Sequence, residues 1–189
     1  TDLGRDDLSL LLRAADQLSC SDAMGTPRAF HSATLLPDGQ VLLLGGLVAE
    51  SSGKGSKLHT DDTEEAYATG TAELYNPDTM QFTTLAKGLT TERAFHEAVL
   101  LPSPPQGPYE VLVLGGVSPE TNGNAAFRLK AGSTAYPFLV SPHEKAQAAG
   151  ASLVTITPST SGGAATLADK PLTGLPKMMF PRVAVAPDG

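Results

Sequence analysis

Apolar residues along this chain come in short runs separated by turn residues, a pattern that predicts β-strands. Phe30–Leu36 is rich in apolar and β-branched residues, and Val41–Leu44 is a continuous apolar run. Pro37-Asp38-Gly39 between them predicts a tight turn, because glycine can adopt the positive φ that hairpins need. Gly45-Gly46 then ends the second run. The segment therefore predicts a hairpin whose second strand is buried on both faces.

The same pattern occurs again later in the chain. Arg28-Ala29-Phe30-His31 opens the first hairpin and Arg93-Ala94-Phe95-His96 opens the second, which ends in Gly115-Gly116. Two more strands follow each hairpin, and four antiparallel strands per repeat make one β-propeller blade. In the first copy these strands are Thr71–Tyr75 and Met80–Leu85. In the second copy the four predicted strands are Phe95–Leu101, Glu110–Leu114, Ser133–Val140 and Ser152–Thr157.

This repeat resembles the kelch repeat, most closely the bacterial form of galactose-oxidase-like propellers. The residues that carry the resemblance are Pro27-Arg28, His31, Leu35–Gly39, Val41–Gly46 and Ala72–Pro77 in the first copy, and Arg93, His96, Leu100–Pro102 and Val111–Gly116 in the second. The second copy departs at Ser103–Pro108, which replaces the Asp-Gly turn, and at Thr134–Pro137, where the Glu-Leu-Tyr-Asn-Pro element is lost. The resemblance implies an all-β fold of consecutive propeller blades over about residues 24–189.

The repeats divide the chain into four predicted parts. An amphipathic helix is predicted at Asp6–Leu18, where leucines recur at helical spacing. Residues 142–151 predict a short helical excursion, and residues 158–176 a connection of low complexity. The four parts are an N-terminal helical segment (1–23), a first blade (24–90) with a polar surface loop inserted at 47–70, a second blade with insertions (91–177), and the start of a third (178–189).

The third copy begins at Phe180-Pro181-Arg182, where Arg182 is aligned with the earlier arginines. In this alignment the copy lacks the histidine and is about four residues short. Closed propellers need roughly four to eight blades, because each blade buries its apolar faces against its neighbours. The remaining blades are therefore expected from the same, longer chain, or alternatively from other chains.

Charge and composition narrow the classes of partner. The 189-residue chain has a net charge of −7 and no block of lysine or arginine, which disfavours binding to nucleic acid. No apolar run approaches the length of a membrane span, so no membrane insertion is expected. Cys20 is the single cysteine, which excludes an internal disulfide and a multi-cysteine zinc site.

The repeated arginines and histidines admit two interpretations. Each histidine is a metal ligand or general base in one of them. In the other, Arg28, Arg93, His31 and His96 recur because each blade solves the same packing problem, with polar side chains bonded to backbone. The second interpretation is favoured, since a repeated residue serves the repeat while an active site is normally single.

Other candidate sites are weaker. The glycine pairs are attributed to close backbone approach and not to a phosphate site. His59, Asp61, Asp62, Glu64 and Glu65 form a dense acidic cluster, but their spacing matches no calcium loop, so a solvated charge run is favoured over a metal site. No Gly-x-Ser-x-Gly element supports Ser/His/Asp catalysis. The copper site of galactose oxidase, with its tyrosine–cysteine crosslink, has no counterpart here, so no catalytic, cofactor-binding or metal-binding residue and no cofactor is assigned.

The favoured function is a non-enzymatic binding module whose loops meet a protein or glycan partner. One alternative is the scaffold of a secreted galactose-oxidase-like enzyme whose catalytic residues lie outside this segment. Another is an architectural domain in a larger assembly. The family resemblance alone implies an extracellular or bacterial cell-envelope location.

Overall fold

The structure, a computed structural model, describes residues 23–48, 63–133, 136–159 and 164–183. In these ranges the chain is all-β, with antiparallel sheets and no helix. The predicted helix Asp6–Leu18 and Cys20 lie outside the described residues. Strands are numbered here along the chain, and the sheets are named by the repeats that supply them.

The first repeat sheet has four antiparallel strands in the order β1-β2-β5-β6. The predicted turn between β1 and β2 is confirmed: Gly39 has a φ of 87°, and the Gln40 N–H donates to Asp38 Oδ1 at 3.1 Å. Three of the strands lie within the predicted ranges, and the third in sequence extends one residue beyond its range, to Asn76. The four strands are β1 (Ser32–Leu35), β2 (Val41–Leu44), β5 (Ala72–Asn76) and β6 (Gln81–Thr84).

The second repeat sheet has the equivalent order β7-β8-β13-β14, but two of its strands differ from the prediction. Ser152–Thr157 is the third strand and not the fourth, because it pairs directly with the strand that precedes the second glycine pair. The fourth strand lies inside the range 158–176, which was wrongly predicted as a connection. The strands are β7 (Glu97–Leu100), β8 (Tyr109–Leu114), β13 (Ser152–Thr157) and β14 (Thr166–Pro171).

A third four-stranded sheet, the insertion sheet, is built from the segments inserted after each glycine pair. The predicted surface loop at 47–70 therefore contains two strands, and the predicted strand Ser133–Val140 belongs to this sheet and not to the second repeat sheet. Here β4 of the first repeat pairs with β10 of the second, so the sheet joins the two repeats. Its strands are β3 (Leu47–Val48), β4 (Thr63–Ala68), β10 (Ala125–Ser133) and β11 (Tyr136–Pro142).

Two short strands complete the described architecture. β9 (Val117–Ser118) pairs with β12 (Gln147–Ala148) in a two-stranded sheet. Residues 142–151 therefore contain a strand where a helical excursion was predicted. The local pattern was misleading because the pairing partner of this strand lies far away in the sequence.

The two repeat sheets pack face to face. Leu42 and Leu44 of β2 are fully buried in one apolar cluster with Val111 and Val113 of β8. The two sheets contribute opposite faces to this contact. Counted back from the glycine pair, the buried residues of β2 and those of β8 are displaced by one position, and neighbouring positions of a strand point to opposite faces. The β8 residues equivalent to Leu42 and Leu44, which stand at the same distance before the glycine pair, are Leu112 and Leu114, and both are only half-buried.

Each glycine pair lies in close contact with the backbone of the next repeat. Gly45 has a φ of 59°, and a Cβ placed on it would lie 2.6 Å from the Arg93 carbonyl oxygen. The Gly46 N–H donates to that oxygen at 2.9 Å. The predicted explanation of these pairs, close backbone approach, is thus confirmed, since any side chain at Gly45 would displace the next repeat.

Candidate binding site

The two repeated arginines are buried and bind backbone carbonyls of their own repeat. Arg28 donates to Thr26 O at 3.1 Å, Gly45 O at 3.0 Å and Thr71 O at 2.8 Å. Arg93 makes the equivalent bonds to the carbonyls of Thr91, Gly115 and Gly150 at 3.3, 3.1 and 2.6 Å. The arginines therefore make the hydrogen bonds that the structural interpretation predicts.

Among the described residues, a carboxylate contacts Arg28 directly and none contacts Arg93. Glu73 lies 2.5 Å from Arg28 Nη2, and both side chains are fully buried. The second repeat has Ser152 at the place of Glu73, judged by the strand register. Burial lowers the pKa of Arg93, and the charge of Asp169 on β14 offsets part of this effect. The buried charge of Arg93 is thus less well compensated than that of Arg28.

One of the two repeated histidines, His96, connects the two repeat sheets. His96 is buried, and its Nε2 lies 2.9 Å from the Ser32 hydroxyl of β1. The structural interpretation predicted bonds to backbone, so for His96 the partner is different. The Nδ1 atoms of His31 and His96 are both buried and have no hydrogen-bond partner among the described residues. Burial lowers the pKa of both histidines, that of His96 to about 3, with Arg93 and then His31 adding to the effect.

Ser32 and His96 are as close as a nucleophile and its general base, but His96 lacks the basicity and the orienting carboxylate that catalysis requires. A histidine with a pKa near 3 is a weak proton acceptor at neutral pH. No carboxylate among the described residues bonds the Nδ1 of His96 to orient the ring, as a catalytic triad requires. The pair is best described as a hydrogen bond between sheets.

Three phenylalanine side chains form a continuous contact along the edge where the repeats meet, here called the phenylalanine column. Phe30 stacks on Phe95 with ring centroids 4.2 Å apart, and Phe95 meets Phe180 edge to face at 5.6 Å. Phe95 also contacts Phe127 of the insertion sheet at 5.2 Å. Although the rings contact one another, Phe30 is 47% exposed and Phe180 57% exposed.

Two members of the column have a strained backbone. Phe30 and Phe95 have φ values of 57° and 58°, in the left-handed region that bulky side chains rarely adopt. Such a conformation costs on the order of 1–3 kcal/mol per residue. The same conformation occurs at the same place in both repeats, and the two rings that follow from it stack on each other.

The column lines an open cavity of about 370 Å³, here called the phenylalanine cavity. Charged groups lie at its rim, where the highly exposed guanidinium of Arg182 is 3.4 Å from Glu97 Oε1. This exposed ion pair contributes little to stability. The other polar side chains of the lining are His31, Ser32 and His96.

Sequence reasoning missed the column because it aligned the third copy incorrectly. The Gly116 N–H donates to Met178 O at 2.8 Å, as the Gly46 N–H donates to Arg93 O. Met178 therefore stands at the place of Arg93, Phe180 at that of Phe95 and Pro181 at that of His96. The third copy is in phase and not four residues short, and it lacks the arginine as well as the histidine. The Pro-Asp-Gly at its end, aligned with Pro37-Asp38-Gly39, was the signal that gives this register.

Of the acidic cluster predicted from the sequence, the described residue Glu65 does not line the phenylalanine cavity. His59, Asp61 and Asp62 lie outside the described residues, while Glu65 accepts a hydrogen bond from Tyr67 on β4 at 2.9 Å. Within the described ranges, no three histidine, cysteine or acidic side chains form a group that could hold a metal ion. The described part of the chain also contains no helix of the length and apolarity needed to cross a membrane.

Comparison with known proteins adds little. No family model and no curated protein matches the chain. Among solved structures it is similar to one described as "Structure of YjhT", at 11% sequence identity and a TM-score of 0.32. The similarity covers 81% of this chain and 54% of that one, so the chain spans about half the length of that protein. A similarity at this TM-score carries no argument about fold or function.

Proposed function

We propose that the protein is a non-enzymatic binding module, part of a kelch-like β-propeller, which takes a protein or glycan partner at the phenylalanine cavity. The observation that carries the proposal is the combination of exposure and strain in the phenylalanine column. Large apolar side chains at the surface are costly when they cluster, and such patches mark interaction sites in soluble proteins. Strained backbone is retained mainly at functional sites.

The packing of the repeat sheets supports the propeller. Successive sheets contact each other through opposite faces, which is the arrangement of neighbouring blades around an axis. Leu112 and Leu114 of the second sheet are half-buried, while their equivalents Leu42 and Leu44 are fully covered by the second sheet. A further sheet, supplied by the longer chain that the repeats predict, would cover them in the same way.

The polar groups at the cavity favour binding over catalysis. His96 and Ser32 bond to each other, and the low pKa of His96 leaves it neutral and weakly basic. The ring faces are then the main surface offered to a partner, with Arg182 and Glu97 available at the rim for orientation. Aromatic anchors surrounded by polar groups are typical of the energetic centre of an interface.

The proposal is tested by selecting ligands from a phage-displayed peptide library and from a glycan array. Selected ligands are then measured by calorimetry against the wild type and Phe180→Ala, whose truncation removes an exposed ring that has no left-handed backbone. We expect affinity to fall at least about tenfold, as for aromatic hot spots. Leu35→Ala is the matched control, because Leu35 is 66% exposed on β1 away from the cavity lining. Equal affinity for Phe180→Ala and Leu35→Ala would contradict the proposal.

A further inference from the structure

A second and larger cavity lies on a different part of the molecule. Its volume is about 590 Å³, within the range of small-molecule sites, and it shares no lining residue with the phenylalanine cavity. It is here called the polar cavity. It lies between the segment that enters β5, the segment that leaves β6, and the turn before β10.

The floor of the polar cavity is apolar and fixed. Leu85 and Leu89 are about 5% exposed, and both belong to the core between the repeat sheets. The backbone around them is held by two hydrogen bonds, from Leu85 N to Ala72 O at 2.9 Å and from Leu89 N to Gly70 O at 2.7 Å. The floor therefore keeps its shape without a ligand.

One wall of the polar cavity is a turn that is held in place by side chains. The Gly123 N–H donates to Glu92 Oε2 at 2.5 Å, and Asn122 Nδ2 donates to Thr90 O at 2.9 Å. The Glu92 N–H in turn donates to Asn122 Oδ1 at 3.3 Å. These reciprocal bonds order the wall before any ligand arrives, which lowers the entropy cost of binding.

The polar groups of the lining are varied but balanced in charge. Lys87 and Glu92 supply one positive and one negative charge, and Asn124 and Thr26 supply neutral donors and acceptors. The carboxamide of Asn124 and the ammonium group of Lys87 make no hydrogen bond to other described residues. A polyanion would find a single cation here on a chain of net charge −7, and a purely apolar ligand would leave these groups unpaired.

We propose that the polar cavity binds a neutral oligosaccharide. Its hydroxyl groups both donate and accept, as the carboxamide of Asn124, the hydroxyl of Thr26 and the ammonium of Lys87 require. The C–H faces of the sugar rings lie on the exposed Ala86 and the half-buried Val48 of the lining, because Leu85 and Leu89 are almost fully buried. This inference does not rest on the phenylalanine cavity, and either site can fail without the other.

The test is calorimetric titration of the intact protein with maltotriose, cellotriose, mannotriose and chitotriose, and with trigalacturonate as the charged probe. At least one neutral trisaccharide is expected to bind with a Kd in the millimolar range or below. Ala86→Trp places a large side chain at an exposed lining position and is expected to weaken that binding at least about tenfold by exclusion. Asn124→Ala, which leaves the backbone of the turn intact, is expected to weaken it about 2- to 12-fold through one lost hydrogen bond.

The matched control is Ala168→Trp, at an exposed alanine on β14 outside the cavity, which should leave the affinity unchanged. The proposal is overturned if none of the four neutral sugars binds when it is present at millimolar concentration and about tenfold excess over the protein. It is also overturned if trigalacturonate alone binds. It is also overturned if Ala86→Trp and Asn124→Ala both bind as the wild type does. Phe180→Ala tests the other cavity and should bind the sugar normally.

Discussion

At the scale of single residues, the two copies of one motif are not chemically equal. Arg28 is neutralised by Glu73, whose carboxylate also accepts the N–H groups of Gly25 and Thr26 at 2.7 and 3.2 Å. In the second copy Ser152 replaces that carboxylate, and its hydroxyl is buried without a partner among the described residues. Asp169, on another strand, accepts the Thr90 N–H at 2.7 Å, which is the counterpart of the bond between the Gly25 N–H and Glu73. The first repeat thus has a buried ion pair in which one carboxylate binds both the arginine and the backbone. In the second repeat a carboxylate on a different strand binds the backbone without contacting the arginine.

The low pKa of His96 predicts a pH dependence of stability. The fold holds this pKa at about 3 against an ordinary value of 6.5, so unfolded chains bind a proton between these values that folded chains do not. The free energy of unfolding therefore falls as the pH drops from about 6.5 toward 3, with a slope from this residue approaching ~1.4 kcal/mol per pH unit. Above pH 6.5 the histidine contributes no slope.

Urea unfolding at a series of pH values, for the wild type and for His96→Gln, measures this slope. Glutamine retains a group that can bond Ser32 but does not titrate, so the difference in slope between the two proteins isolates the histidine. The carboxylates of the chain titrate equally in both. Identical slopes between pH 6.5 and 4 would show that His96 accepts a proton in the folded protein without cost, contrary to its burial.

At the scale of elements, the repeat strands follow local patterns and the inserted strands do not. The strand Val41–Leu44 was predictable because its apolar run and the glycine pair identify it without reference to other segments. β4 and β14 were not, because Thr63–Ala68 and Thr166–Pro171 are polar in part. β4 pairs with β10 of the other repeat, and β14 is an edge strand that pairs with β13 alone among the described strands. Tertiary pairing there outweighs intrinsic β-propensity. The same limit applies to the candidate site, since the sequence contained Phe30, Phe95 and Phe180 but not the register that unites them.

The insertion sheet is expected to depend on one side chain. Phe127 on β10 is 1% exposed and packs among Leu47, Ala66 and Val117 as well as against Phe95. Phe127→Ala should cost about 3–5 kcal/mol, because it removes a large side chain from a fully buried apolar cluster and leaves a cavity there. Hydrogen exchange should show lost protection first in β4 and β10.

The control for this change is Phe82→Ala on β6. Phe82 is half-buried and has its ring 4.8 Å from that of Tyr75, so its truncation is expected to cost less than half as much. Equal losses in urea unfolding would mean that Phe127 contributes no more than a surface-facing ring. Protection retained in β4 would contradict the role assigned to the insertion sheet as a link between repeats.

At the scale of the whole molecule, the repeat sheets share one core, and this predicts that they unfold together. Val113 of β8 is fully buried in the same apolar cluster as Leu42 and Leu44 of β2. Val113→Ala removes atoms from the face that the first sheet covers, at a cost of about 2 kcal/mol. Because both sheets lose that contact, native-state hydrogen exchange should become faster to the same extent in each: protection in β2 and in β8 should fall by a similar factor, about 30 for this cost.

Val99→Ala is the control, because it removes atoms from the face of the second repeat sheet that the first sheet does not cover. Val99 pairs with Leu112 on the opposite face of the second repeat sheet and is half-buried, so its truncation should lower protection by a much smaller factor in both sheets. If Val113→Ala instead lowers protection in β8 and leaves β2 unchanged, the sheets fold as separate units. Their contact would then resemble an interface between domains, and the coupling of neighbouring repeats on which the propeller proposal depends would be absent.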